Sequence, residues 1–93
     1  MRQTVIINDG ELDQEIGTPY FFQDERISNL NKDQVTELYR HTAVKEMALR
    51  SADPNDQLNK VRQGLDILGQ MVKDMHGDAK GLVIIHGIKR QIV

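Results

Sequence analysis

The side chains whose type and spacing suggest chemistry are three histidines, a run of aromatics and one glycine-bounded loop. His41 follows Glu37 by four residues, about one helical turn, so the two share a face. A carboxylate and an imidazole so placed can pass a proton or contribute to a metal site. A metal site needs a further ligand, and neither an HExxH run nor a cysteine supplies one. The pair therefore reads first as a surface contact. His76 stands at a helix end, where the dipole favours a cation, and needs no ligand to explain it. His86, beside Gly87, reads as an edge residue at the end of a strand. Thr36, Thr42 and Ser51 show no nucleophile elbow or triad pattern. The loop Gly77-Asp78-Ala79-Lys80-Gly81 follows a helix C-terminus, whose dipole has the wrong sign for phosphate. No catalytic residue, metal or cofactor is assigned.

Binding has better candidates. Tyr20, Phe21 and Phe22 are adjacent and make up three of the four aromatic residues. Aromatics outside a periodic element either plug the core or present a contact patch. Plugging is the first reading. An exposed ring would instead stack on a nucleobase or anchor a protein, with Arg26, Arg40 and Lys45 as charge complements. Tyr39 and Arg40 would join that surface from the next element. These seven residues form the candidate ligand-binding set.

Two helices must position them. Asn31 and Gln34 form a capping-box pattern, and Leu30 and Val35 occupy the positions of a hydrophobic staple. A first helix over about 31–50 turns Val35, Leu38, Tyr39, Thr42 and Leu49 to a core. Asp53 as cap and Pro54 at the first helical position open a second helix over about 54–76. Its apolar stripe is Leu58, Val61, Leu65, Leu68, Val72 and Met75, in steps of three and four. Gly77 closes it as a left-handed cap. A short link makes the pair an antiparallel αα-hairpin. Gly64 and Gly69 inside the second helix each cost about 1 kcal/mol against alanine, which is either tolerated or marks a close approach. Val44, Met47 and Ala48 on the first helix, and Ile67 and Met71 on the second, stay outside the seam. They are the candidate interface of a homo-oligomer.

The chain ends read as β structure. Gln3 to Asn8 is rich in β-branched residues, and Asp9-Gly10 turns it toward an arm over Glu11 to Ile16. Leu82 to Ile85 reads as a buried strand, and Ile88 to Val93 as its pair. The expected fold class is α+β, a single domain over residues 1–93. It combines the helical hairpin with an N-terminal strand or hairpin and a C-terminal strand pair.

Composition narrows the function classes. The chain has 93 residues, a net charge of −2 and no cysteine. Residues 1–29 carry six acids against two bases, whereas residues 77–93 carry three bases against one acid. Neither end has the dense basic footprint of a phosphate-backbone binder. No apolar run approaches a membrane span and none near Met1 reads as a signal, so a cytoplasmic location is expected. The leading expectation is a small non-enzymatic protein-binding module, an inhibitor or adaptor acting as a homo-oligomer. The alternative is a small-ligand or nucleotide binder with a pocket at a subunit interface. An acid–base enzyme built on Glu37 and His41 ranks third.

Overall fold

The computed structural model describes residues 19–52 and 56–92. Every regular element among them is helical. A 3-10 turn over Pro19–Gln23 leads into the short helix α1, Glu25–Ser28. Three longer helices follow: α2, Lys32–Ser51; α3, Asp56–His76; and α4, Asp78–Ile92.

Local chemistry starts α2 where the sequence predicts. Asn31 accepts from the Gln34 amide at 2.9 Å, and Gln34 accepts in return from the Asn31 amide at 3.0 Å. Two otherwise orphaned donors at the helix start are thereby satisfied. The α2–α3 hairpin is antiparallel. Thr36, near the start of α2, meets His76 at the end of α3, while Glu46 meets Arg62 across the opposite ends. The predicted α3 stripe is the core: Val61, Leu68 and Val72 are fully buried, as is Val35 of α2. Each such side chain contributes roughly 1.5–3 kcal/mol by leaving water. Buried Thr42 satisfies its hydroxyl on the Leu38 carbonyl at 2.8 Å.

Two members of the aromatic run plug this core. Phe21 and Phe22 are buried and meet edge to face with centroids 5.2 Å apart. The Phe22 ring lies on Gly64, where a β-carbon would collide with it. Gly64 thus marks a close approach by a side chain. Gly69 leaves ordinary room, since a β-carbon there would stand 3.5 Å from Tyr39 Cε2.

The α+β expectation is overturned. Residues 78–92, expected to hold a buried strand and its pair, form the single helix α4. Leu82 to Ile85 is apolar and partly β-branched, so the run alone fits either element. What decides is the longer spacing: Gly81, Ile85, Ile88 and Ile92 recur in steps of four, three and four. Gly81, Ile85 and Ile88 are buried, and Ile92 packs against the core. Val83, expected inside a sheet, is 71% exposed. Packing of that stripe outweighs the small helix penalty of the β-branched residues.

Gly77 reverses the chain in one residue. Its amide bonds to the Lys73 carbonyl at 2.9 Å, closing α3, and its carbonyl accepts from the Gly81 amide at 2.8 Å, opening α4. Its φ of +94° suits glycine. Gly81, which the sequence reading put at the end of a loop, lies inside α4. It lets α4 touch α3, for a β-carbon there would lie 2.7 Å from Lys73 Cα. With α2, α3 and α4 running up, down and up, the described residues make a helical bundle. The N-terminal strand, its Asp9-Gly10 turn and the Asp53-Pro54 cap lie outside the described residues.

Candidate functional site

The last turns of α2 and α4 stand apart over the middle of α3. Between them lies a cleft of about 400 Å³, with Tyr39, Ala43, Glu46, Met47 and Arg50 from α2. Arg62, Leu65 and Asp66 of α3 and Lys89 and Ile92 of α4 complete it. A second cleft of about 510 Å³ runs along the α2–α4 seam past Arg40, Val44, Met47, Ala48, Ser51, Ile88, Gln91 and Ile92. The two clefts share Met47 and Ile92, so they adjoin at these side chains and make a trench in two parts.

Long polar side chains arm the first cleft. Glu46, with a side chain 17% exposed, takes Arg62 Nε at 3.3 Å and Arg50 Nη2 at 3.4 Å. One carboxylate thus serves two guanidiniums. Tyr39 lines the cleft and is 3% exposed overall. Among the described residues, no donor or acceptor partners its hydroxyl. A buried phenol usually has a partner, so this one stands out. Burial pushes its pKa up, and the nearby Glu46 and Asp66 carboxylates add to the rise. It keeps its proton at neutral pH and remains a donor.

The candidate residues from sequence scatter. Tyr39 and Arg40 lie one in each cleft, and Val44, Met47 and Ala48 line the second. Tyr20 lies in the 3-10 turn, and Phe21 and Phe22 belong to the core. Arg26 grips Asp24 at 3.0 Å and lies 5.7 Å from the Phe21 ring centroid. That side-chain contact, with the bond from the Arg26 amide to the same carboxylate, holds the Asp24 pKa below its ordinary value. Lys45 lines neither cleft; nor do Ile67, which is exposed, and Met71, which packs against the core.

The histidines are dispersed. Glu37 holds Arg40 at 2.7 Å. His76 lies 3.1 Å from Thr36 Oγ1, whose own proton goes to the Lys32 carbonyl at 2.8 Å, so the imidazole Nε2 must donate. His86 is on the exposed side of α4 instead of at a strand end. No cluster of three or more metal-ligating side chains occurs among the described residues. No helix among them is long and apolar enough to cross a membrane.

Sequence reasoning missed the α3 and α4 walls: Arg62, Leu65, Asp66, Ile88, Lys89 and Ile92. The signal was the Gly81-Ile85-Ile88-Ile92 spacing, which turns Lys89 and Ile92 toward α2. Comparison with protein-family models, curated proteins and solved structures finds no match for this chain.

Proposed function

We propose that the protein is a non-enzymatic binding module that holds a segment of a protein partner in the α2–α4 trench. The observation that carries this reading is the adjacency of the two clefts at Met47 and Ile92. An apolar floor of Val44, Met47, Ala48, Ile88 and Ile92 runs on into a pocket rimmed by charged groups. Concave apolar surface with a few convergent polar groups is the usual form of a binding site. Its open, elongated shape suits a chain segment, as in helix-in-groove recognition. The dispersal of the histidines supports binding over catalysis.

A library of displayed 12-residue peptides, selected on the full chain, tests the reading. Ala48 is exposed and sits in the trench, so Ala48→Phe should obstruct it without disturbing the core. Val83→Glu changes an exposed side chain outside the trench. Selected peptides should bind Ala48→Phe at least tenfold more weakly and Val83→Glu unchanged. Recovery of no binding peptide, or equal binding to Ala48→Phe, overturns the proposal.

A further inference from the structure

We infer that the segment taken by the trench is acidic, an inference that rests on the trench being the binding site. The argument is charge complementarity. Four bases line the two clefts, Arg40, Arg50, Arg62 and Lys89, against two acids, Glu46 and Asp66. The trench wall therefore carries a net charge of +2 in a chain whose net charge is −2. The remainder of the molecule is more negative than the whole. Positive charge is thus concentrated along an apolar concavity of the described residues.

The existing ion pairs do not cancel it. Glu46 is shared by Arg50 and Arg62, so one anion meets two cations. Lys89 has no ion-pair partner among the described residues. Arg40 holds Glu37, but that pair is solvent-exposed, and such pairs are weak enough to exchange for a better partner. An acidic segment would lay apolar side chains on Met47, Ile88 and Ile92 and set its carboxylates over this rim.

The Tyr39 hydroxyl adds a second requirement. Tyr39 is 3% exposed and lines the first cleft, and no group among the described residues partners its hydroxyl. Glu46 and Asp66 beside it disfavour another carboxylate there. Its acceptor is then a neutral carbonyl, which any peptide main chain supplies. Carboxylates bind at the basic rim and a main-chain carbonyl at Tyr39, so the occupant is a polypeptide rather than a small anion.

Three 12-residue peptides test this on the full chain by fluorescence anisotropy. All carry leucines at helical i, i+3, i+4, i+7 spacing, and their other positions are glutamate, glutamine or lysine. The glutamate peptide should bind at least tenfold tighter than the glutamine peptide, and the lysine peptide weakest. Raising NaCl from 50 to 300 mM should shrink that advantage several-fold, because rim charges are screened. Lys89→Gln should reduce the advantage of the glutamate peptide over the glutamine peptide several-fold. Tyr39→Phe should weaken glutamate and glutamine peptides equally, by several-fold.

If the glutamine peptide binds as tightly and Ala48→Phe still blocks it, the acidic preference is overturned and the trench reading survives. If Ala48→Phe affects no peptide, both fall. A dimer of the chain that Ala48→Phe dissolves, with no peptide competing, overturns the inference in favour of a second copy as occupant.

Discussion

At its first turn α4 approaches α3 so closely that a β-carbon on Gly81 would lie 2.7 Å from Lys73 Cα. At its last turn the same helix borders a cleft of about 400 Å³. Side-chain size at the contact explains the contrast, since the residues between two helices set their separation. Glycine lets backbone meet side chain and backbone at one end. At the other, Tyr39, Arg62, Leu65 and Ile92 hold the helices apart, and the charged groups among them favour a wetted opening. A short chain thus spends its close packing at the turn and keeps its concave surface at the far end.

The largest expected effect breaks the closed end. Gly81→Ala must push α4 away from the Lys73 backbone. Overpacking costs roughly 1–3 kcal/mol and occasionally more, and the clash with backbone puts this site at about 3 kcal/mol or above, offset in part by about 1 kcal/mol of better helix propensity. A net loss in urea denaturation is expected. A gain in stability would show that the contact is not tight.

Next is the hinge. Gly77→Ala places a β-carbon at φ +94°, though nothing crowds it within 4 Å. The backbone penalty alone should cost about 1–2 kcal/mol. Because it acts at the reversal between α3 and α4, it should lower stability without altering peptide binding by the folded protein. Loss of binding in the folded variant would show that the hinge angle sets the trench.

Gly87→Ala supplies the opposite sign on the same helix. No atom lies within 4 Å of a β-carbon at Gly87, so the substitution meets only the helix preference. Stability should rise by about 0.5–1 kcal/mol. If Gly81→Ala and Gly87→Ala shift the urea midpoint in the same direction, the contrast between close contact and open space is wrong.

These glycines also show what the sequence made legible. Asn31 with Gln34 and the Leu58-to-Met75 stripe are local signals, and both appear as read. Gly77 likewise declared a helix end. Gly81 and Gly87 look alike in sequence because their difference is a neighbour eight residues back in one case and open space in the other. Leu82 to Ile85 misled because four apolar residues in a row fit either period, and only Gly81, Ile85, Ile88 and Ile92 together choose the helix. The site suffered for the same reason. Tyr39, Arg40, Val44, Met47 and Ala48 were visible on α2, but a pair of strands at 82–85 and 88–93 could not place Lys89 and Ile92 opposite them. Phe21 and Phe22 are buried, as the first reading of the aromatic run has it, but nothing local reveals that Gly64 makes room for the Phe22 ring.

The smallest effect on stability bears on the open end. Tyr39→Phe removes a hydroxyl with no protein partner among the described residues, so no internal hydrogen bond is lost. Stability at pH 7 should stay level or rise by up to about 1 kcal/mol, because an unsatisfied buried polar group is costly. At high pH the two proteins should diverge. Burial, then Glu46 and Asp66, raise the folded-state pKa of Tyr39 above the ordinary value of 10.0. Between the unfolded and folded values the unfolded chain has released this proton and the folded chain has not. Wild-type stability should therefore fall as pH rises above about 10, the ordinary tyrosine value, and Tyr39→Phe should lack that component of the fall. Urea midpoints measured from pH 8 to 11 would show it. Parallel curves for the two proteins would mean that the hydroxyl reaches water freely at the mouth of the cleft, removing the reason to treat it as a donor held for a partner.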